Sequence, residues 1–533
     1  MKRIFSFFVS ACLVVTMFGG CAKPLEEQTD NTIGSTRFSE VSTITLSDDG
    51  ILYNGSVVGE SGDVYVSRDI IYYEDMDVYP GGNPYGEGTD SDKHTKEEAD
   101  SHRVVNITKP GSYCLNGTLS AGQIRVDLGE DAKENPDAVV ELILNNADIT
   151  CTVAPAILFL NVYECDEDWS ADTATSEPDT KKAGANIVLA EGSRNVVNGS
   201  YVAKIFKDSE DEKKLWKQDG AIYSYMSMNV DGSGSLELIA ENEGMDTELH
   251  LTVNGGDITI RSQNDGINTN EDGVSVTTIN GGNLYIMAGL GAEGDGIDSN
   301  GWLVINGGTV VSHANPIADA GLDSDMGSFV NGGTVVALGS TMDWPESDSR
   351  QVTMNLQFQK NVDADGALVI KDADGNIVFS YQTMEEELTG RDYRGAIISS
   401  PNLQKEGEYT VYVGGTLSGD MKNGLYDCKT VAEETFGVKQ GYYGSDIPFG
   451  KGAHGKPPEF DGEPPKFDGE PPKMPDGMKP PRFDAEHPPM PPAEGTPPEF
   501  GAHISEENEQ KDIFVMTDQV NLFTGVSDFM IRP

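Results

Sequence analysis

Four short segments of this chain repeat one pattern of residues that could bind a metal ion. Each reads glycine, an apolar residue, Asp or Asn, Thr or Ser, and then an acidic or amide residue, and the segments begin at Gly244, Gly266, Gly296 and Gly321. Side chains alternate across a β-strand, so the third and fifth residues of each segment point to the same face. If the segments stack as strands, the third positions form one outward, exposed column of Asp246, Asn268, Asp298 and Asp323, and the fifth positions form another of Glu248, Asn270, Asn300 and Asp325.

The make-up of these columns favours calcium. Carboxylates stacked this closely repel one another unless a cation neutralises them. Oxygen-only donors that mix Asp with Asn suit Ca²⁺ at distances of about 2.4 Å. Further acids precede or open the same turns, so the predicted metal ligands are Asp246, Asp265, Asn268, Asp295, Asp298, Asn300, Asp319, Asp323 and Asp325. The alternative is a solvated ladder of Asn and Asp that caps the turns.

A second repeat, in step with the first, predicts the fold. An Asn-Gly-Gly turn or a close variant recurs between short alternating segments, with its first glycine at Gly232, Gly255, Gly281, Gly307 and Gly332. A nearly constant period with two or three strands per unit indicates a repeat architecture. The prediction is an all-β protein with a right-handed parallel β-helix, a solenoid like that of pectate lyases. Independent Asn-Gly hairpins are the alternative, but they do not explain the constant period.

The N-terminal residues predict export and a lipid anchor. Lys2 and Arg3 precede the largely apolar run from Ile4 to Phe18, and two glycines then lead to Cys21. An apolar run this short is typical of a signal peptide. Because Cys21 follows two small residues, we predict a lipoprotein signal peptide over 1–20, lipidation of Cys21 and a bacterial cell-envelope location, on the surface or the outer membrane. An ordinary signal peptide with a chance cysteine is the alternative.

Composition shifts divide the rest of the chain. Residues 21–40 are predicted to be a tether, and 41–345 the β-helix, with polar insertions at 59–103 and 164–183. A small β-sandwich-like domain is expected over 346–447, and a C-terminal strand over 512–533. Residues 448–511 repeat paired prolines, which block helices and sheet ladders, so a disordered Pro-rich segment is expected there.

The overall charge excludes some partners. Lys and Arg total 37 and Asp and Glu total 88, which gives a formal net charge of −51. This balance argues against nucleic acid as a partner and against docking on anionic lipid, because both need clustered cations. The membrane is therefore expected to be contacted only through the lipid anchor.

From about Thr43 to Gly415 the chain resembles exported carbohydrate-binding domain proteins that fold as calcium-binding parallel β-helices and bind cellulose or polygalacturonate. The resemblance lies in the segments 117–124, 142–150 and 219–224 and in the repeated Asn-Gly-Gly and Asp-Gly-Ile turns. Ser399-Ser400-Pro401 and Tyr409-Thr410-Val411 are similar to the small β domain that follows the helix in that family. The resemblance implies Ca²⁺ as cofactor and an acidic or cell-wall polysaccharide as partner.

Three functions remain open. The leading hypothesis is a non-catalytic, calcium-dependent polysaccharide binder, with Tyr285, Trp302 and Arg261 as candidate sugar contacts and no catalytic residue. For Tyr285 and Trp302, ordinary strand packing is favoured over stacking on sugar. The second is a pectate-type polysaccharide lyase, which needs a Lys or Arg near calcium as base. Between Gln218 and Ser340 the basic residues are His250, Arg261 and His313, and a surface salt bridge is favoured for Arg261. The third is an adhesin or structural surface protein without sugar specificity.

Overall fold

The computed structural model describes residues 37–73, 93–166, 169–206, 214–340, 343–383, 385–427, 429–440 and 512–528. The predicted signal peptide, Cys21, most of the predicted tether and the Pro-rich segment lie outside these ranges. The described part is all-β, with large sheets and very little helix. Its helices are α1 (Lys96–Ser101) and the 3-10 helices η1 (Glu130–Glu134), η2 (Thr180–Lys182) and η3 (Glu386–Leu388). Across these ranges, no helix has the length and apolar character needed to span a membrane.

Strands fill the region that precedes the regular repeats. They are β1 (Val41–Leu46), β2 (Leu52–Tyr53), β3 (Ser56–Val57), β4 (Val64–Ser67), β5 (Arg103–Ile107), β6 (Gly111–Leu119), β7 (Gly122–Asp127), β8 (Val140–Cys151), β9 (Ile157–Asn161), β10 (Ala185–Leu189), β11 (Arg194–Gly199), β12 (Val202–Phe206) and β13 (Lys214–Gln218).

The repeats contribute the next strands. They are β14 (Gly220–Ser224), β15 (Met228–Gly232), β16 (Ser235–Ala240), β17 (Glu243–Thr247), β18 (Leu251–Val253), β19 (Asp257–Ser262), β20 (Ile267–Thr269), β21 (Val276–Ile279), β22 (Asn283–Met287), β23 (Trp302–Ile305), β24 (Thr309–His313), β25 (Gly327–Val330) and β26 (Thr334–Gly339).

The C-terminal region completes the described strands. They are β27 (Thr353–Val362), β28 (Leu368–Asp372), β29 (Ile377–Tyr381), β30 (Tyr393–Ser399), β31 (Glu408–Val413), β32 (Thr416–Ser418), β33 (Met421–Lys422), β34 (Leu425–Tyr426), β35 (Val431–Glu433), β36 (Phe436–Lys439), β37 (Phe514–Val515) and β38 (Val520–Asp528).

Most strands of the repeats pair in parallel with the strand one repeat further along the chain. Set A runs β6, β8, β10, β15, β18, β21, β23 and β25. Set B runs from the second half of β8 through β11, β16, β19, β22, β24 and β26. Set C runs β5, β7, β9, β14, β17 and β20. Apolar side chains from all three sets, such as Val253, Ile260 and Ile267, are fully buried in one core.

The Asn-Gly-Gly turns explain why the repeats stack closely. The second glycine has a positive φ in four successive turns, for example 86° at Gly282 and 79° at Gly308. A Cβ on Gly308 would lie 2.6 Å from the carbonyl oxygen of Gly282, so a side chain would clash with the preceding repeat as well as strain the backbone. The asparagines form a ladder in which each Nδ2 donates to the Oδ1 of the preceding one at 2.9 Å, through Asn331, Asn306, Asn280 and Asn254.

The segments expected as insertions differ in how they join the body. Within 59–103, β4 pairs antiparallel with β5 at the edge of set C, and Val64 is buried. This part therefore belongs to the sheet, and its alternating residues explain why it pairs. The described residues of 164–183 instead contact residues of set A or next to it. Glu164 accepts hydrogen bonds from Ser227, and the Thr180 hydroxyl contacts that of Thr252 at 2.7 Å.

The C-terminal strands pack against one face of the repeats. β30 pairs antiparallel with both β26 and β27, and β38 pairs in parallel with β27. A second apolar core joins Met287 and Val311 of set B to residues of these strands such as Ile398. The outer face of set B is therefore covered near its end.

Candidate metal centre

The structure brings the repeated acidic and amide residues together at the end of set C. β17 pairs with β20 so that Asp246 is directly beside Asn268. The amides of Asp298 and Asp323 continue the stack, because they donate to the carbonyls of Ile267 and Ile297 at 2.8 Å. These four residues, with the acids of the adjoining turns, are called the acidic column below.

The residues that alternate with the column point into the core, as the strand alternation predicts. Met245, Ile267, Ile297 and Leu322 are fully buried. The neighbouring hydroxyls also point inward, since Thr269 and Ser299 are buried and their oxygens lie 2.7 Å apart.

The prediction that the whole column is exposed is wrong. Asp246 is 0 % exposed and Asn268 is 7 % exposed. Asp298 and Asp323 are half-buried, and Asp325 is exposed. The first repeat is covered because Tyr223, which occupies the position of Asp246 one repeat earlier, is itself buried and donates from its hydroxyl to Glu248.

Three carboxylates meet at the buried end of the column. Asp219, Glu243 and Asp246 each present an oxygen, and these oxygens lie within 4.8 Å of one another. Lys217 reaches the same place, with its Nζ 2.7 Å from Asp219 Oδ2. One ammonium group therefore faces three carboxylates.

Several oxygens at this end lack the hydrogen bonds that burial normally requires. In the part of the chain that the structure describes, Glu243 Oε2, Asp246 Oδ2 and Asn268 Oδ1 are buried without a hydrogen-bond partner. Leaving a buried acceptor unsatisfied costs about 1–3 kcal/mol, and more for a charged group. A bound cation would satisfy such oxygens, and the donor set of carboxylates plus one amide oxygen fits Ca²⁺.

The electrostatics of this group also fit a cation site. Burial and the charge of Asp219 raise the pKa of Glu243 to about 7. Burial and the charge of Glu243 raise the pKa of Asp246 well above its ordinary value. Burial alone would lower the pKa of Lys217, but the surrounding carboxylates raise it, so this side chain is an ammonium ion.

Three further acids accept hydrogen bonds from backbone amides in the turns of neighbouring repeats. Asp265 Oδ1 accepts from the amide of Asp295 at 2.6 Å, and Asp295 Oδ1 accepts from the amide of Ala320 at 2.5 Å. Asp319 Oδ2 accepts from the amide of Gly294 at 2.9 Å. Each carboxylate thus ties its turn to the next repeat along the chain or to the one before it.

Burial and mutual repulsion act on this group as well. They raise the pKa of Asp295 to about 8, with Asp323 contributing the largest charge effect, and that of Asp298 to about 7. The pKa of Asp265 is raised well above its ordinary value by burial and by the charge of Glu243. Burial raises the pKa of Asp319 too. If all of these carboxylates were ionised, the column would hold more negative charge than its protein surroundings compensate.

The predicted ligands Asn300 and Asp325 lie at the outer edge. Asn300 is half-buried and uses its Nδ2 to donate to Asn270 O at 2.9 Å and Asp272 Oδ1 at 3.0 Å. Its side-chain nitrogen thus takes part in the ladder-like bonding that was the alternative to metal binding. Asp325 is exposed, and its amide donates to Ser299 O at 3.0 Å.

Sequence reasoning missed four residues that lie in or beside the column: Lys217, Asp219, Glu243 and Asp343. Glu243 precedes Gly244 as Asp265 precedes Gly266, so the repeat pattern could have found it. Asp343 lies beside Asp323 and comes from a segment outside the repeats, and burial together with the charge of Asp323 raises the pKa of Asp343 to about 7. Lys217 gives no local signal, because the hairpin of β12 and β13 brings it to the column from between two repeats.

The candidate sugar contacts are placed differently from the column. Tyr285 is 3 % exposed, its hydroxyl is 3.0 Å from Thr383 Oγ1, and its ring packs in the second core with residues of the C-terminal strands, which fits strand packing rather than a sugar contact. Arg261 pairs with Glu237 at 2.9 Å and with Glu385 at 3.4 Å, which fits the salt bridge rather than a sugar contact. Trp302 is half-buried, two residues beyond Asn300.

Fold and site define an all-β repeat protein with an acidic column along one edge of its stacked strands. The chain belongs to the family of carbohydrate-binding domain-containing proteins, whose model matches residues 101–390, more than half of its length. A curated relative from Acetivibrio thermocellus, a carbohydrate-binding domain-containing protein, is 30 % identical over 178 residues, or 32 % of this chain and 51 % of the relative. The match thus spans about half the length of that relative.

A solved structure also shows similarity to this chain. It is the gadolinium derivative of a polysaccharide lyase-like protein from C. thermocellum, with 23 % sequence identity and a TM-score of 0.34. The comparison covers 57 % of this chain and 94 % of that one.

Proposed function

We propose that this protein is a non-catalytic polysaccharide binder whose acidic column holds calcium. Family membership supports carbohydrate as the partner. The parallel pairing of strands one repeat apart, in three sets around one core, supports the further proposal that the repeats wind as a right-handed parallel β-helix. Stacked strands of this kind advance by about 4.8 Å per repeat, so an extended ligand could lie along the edge of several repeats.

The observation that carries calcium binding is the set of buried oxygens at the start of the column. Within the described ranges, Glu243 Oε2, Asp246 Oδ2 and Asn268 Oδ1 have no hydrogen-bond partner. The carboxylates of Asp219, Glu243 and Asp246 lie close enough together to share one ion. Hard oxygen ligands in this number favour Ca²⁺ over softer metals.

The half-open end of the column supports an acidic or cell-wall glycan as ligand. Asp298 and Asp323 are half-buried and Asp325 is exposed, so an ion held there would keep coordination positions toward solvent. A sugar carboxylate could fill those positions, and the calcium ion would then link two groups of like charge.

One observation favours the lyase alternative. Lys217 lies at the acidic cluster, where a lyase would need its base. However, Lys217 is 7 % exposed and donates to Asp219, and the carboxylates around it raise its pKa. A base must lose its proton and reach substrate, so Lys217 suits charge compensation better than proton abstraction.

Binding and cleavage can be measured on one set of samples. We expect the protein to bind polygalacturonate or cellulose in calcium and to lose this binding in excess chelator, with no unsaturated sugar product. Release of unsaturated product would identify a lyase. An absence of binding to any polysaccharide in calcium would favour the adhesin or structural role.

We also propose that the protein is held at the cell envelope by lipid on Cys21, which lies outside the described residues. Replacing the thiol removes the attachment point of the lipid, so Cys21→Ser should move the protein from the membrane fraction to the soluble fraction. Retention of the variant in the membrane fraction would contradict the anchor.

A further inference from the structure

A lysine from outside the repeats enters the buried end of the acidic column. β12 and β13 form an antiparallel hairpin between the repeat that contains β11 and the one that contains β14. Lys217, near the end of this hairpin, is 7 % exposed, and its Nζ lies 2.7 Å from Asp219 Oδ2. Its ammonium therefore contacts one of the three carboxylates that lie within reach of a single ion.

The charge of this group is only partly compensated. Asp219, Glu243 and Asp246 carry three negative charges when ionised, and Lys217 supplies one positive charge. The remaining charge matches one divalent cation. The hydrogen bonding gives an independent sign of a missing ligand. Among the described residues, Glu243, Asp246 and Asn268 are more than nine-tenths buried, and each has an oxygen without a hydrogen-bond partner.

We propose that Lys217 is a built-in counter-cation that competes with calcium for Asp219 and weakens metal binding at the buried end of the acidic column. The proposal rests on the proposed function, because it takes the column to be a metal site. Its physical basis is that the ammonium hydrogen-bonds a ligand oxygen and places a positive charge beside the ion.

Competition of this kind has a stability signature. Without metal, Lys217 stabilises the fold by compensating Asp219, and its loss leaves a partly buried carboxylate without its cation. With metal, the same loss frees an oxygen ligand and removes a repulsive charge. A lysine that served only to position the hairpin would lower stability equally under both conditions.

The test compares wild type with Lys217→Met, which keeps the length of the side chain but removes the charge. Thermal unfolding and calorimetric titration are measured with calcium chloride alone, after chelator treatment and dialysis. We expect Lys217→Met to melt below wild type without calcium, to gain more in melting temperature from calcium, and to bind calcium at least about tenfold more tightly at one position. Lys217→Gln is a second variant with the same expectation, in case Met disturbs the hairpin.

Two controls isolate the charge at this place. Lys217→Arg keeps a cation and should respond to calcium like wild type. Lys109→Met breaks another Lys–Asp pair, to Asp63 at 3.0 Å, but both side chains of that pair are more than half exposed, so the calcium response should not change.

The outcomes separate this proposal from the proposed function. If wild type responds to calcium but Lys217→Met and Lys217→Gln respond equally or less, the counter-cation role is overturned while calcium binding stands. If calcium changes the melting temperature of the two variants but not that of wild type, Lys217 blocks the site and the calcium dependence of the proposed function fails. If none of the proteins responds to calcium, both proposals fail.

Discussion

The two ends of the acidic column share one repeat pattern but differ in their surroundings. At the buried end, Asp246 and Asn268 are at most 7 % exposed, and Lys217 brings a positive charge to the cluster. At the open end, Asp323 is half-buried and Asp325 is exposed. The carboxyl group of Asp323 lies beside that of Asp343, a second acid, where the buried end has an ammonium group.

This difference shows that position in a repeat fixes where a carboxylate lies but not what it does. A buried ion site mainly stabilises the fold, because it removes an unfavourable burial of charge. A site with open coordination positions can also bind an external ligand. We therefore expect the buried end to control stability and the open end to control polysaccharide binding.

Calcium removal should have the largest effect, because it acts on both ends. A ligand that binds only the folded state adds about 2.7 kcal/mol of stability when its concentration is a hundredfold above Kd. Excess chelator should therefore lower the melting temperature and abolish polysaccharide binding together. Unchanged melting and binding in chelator would show that the column is a solvated ladder.

Exchanging single ligands should separate the two ends. In calcium, Asp246→Ala should lose about 2 kcal/mol of stability, because a buried ligand is removed. In chelator it should be at least as stable as wild type, because the variant no longer buries that carboxylate. Asp325→Ala should change stability by less than about 0.5 kcal/mol under both conditions but weaken polysaccharide binding. Chemical unfolding and binding isotherms measure both, and equal effects of the two variants would remove the distinction between the ends.

The pH dependence of the metal-free protein gives a third, more gradual test. The pKa values of Glu243 and Asp298 are raised to about 7 and that of Asp295 to about 8, against about 4 in an unfolded chain. The folded state therefore binds more protons, and stability must fall as pH rises from about 4 to about 8. In saturating calcium this fall should be smaller, because the ion stabilises the ionised carboxylates. Unfolding in denaturant at several pH values tests this, and a metal-free protein that becomes more stable over this range would contradict it.

The smallest effects should come from a ligand in the middle of the column and a matched aspartate elsewhere. Asp298→Ala should reduce both the calcium-induced stabilisation and polysaccharide binding only in part, since neighbouring repeats share the ion. Asp374→Ala should do neither, because Asp374 is an exposed residue of the turn between β28 and β29. Melting and binding assays on both variants check this, and wild-type behaviour of Asp298→Ala would exclude it as a ligand.

The sequence predicts the stacking of the column but not its burial. The constant period of the repeats places Asp246 beside Asn268 because parallel strands keep equivalent positions in register. The repeats around Asp246 and Asp323 read almost alike, yet the first is covered by Tyr223 and the second is not. Burial here depends on the residues that precede the regular repeats.

Long-range packing explains the remaining differences from sequence. Tyr285 packs in the core shared with the C-terminal strands, and its hydroxyl contacts Thr383, from far later in the chain. Arg261 likewise forms a salt bridge with Glu385, which also lies far later in the chain. Lys217 and Asp343 reach the column from segments outside the repeats, and no local pattern encodes contacts of that kind.

The asparagine ladder gives the repeats a direction. Each amide donates toward the start of the chain, so the first one, Asn254, donates to a carboxylate oxygen of Asp231 at 3.3 Å, and the last, Asn331, accepts from the amide of Arg350 at 3.2 Å. Both ends of the ladder thus have partners, while every interior member is interchangeable with its neighbours. A duplicated unit of one repeat length inserted between Asn280 and Asn306 would find matching hydrogen-bond donors and acceptors on both sides. Gene duplication could therefore lengthen the protein by one repeat, with one more set of acidic residues in the column, without changing the residues at either end of the ladder.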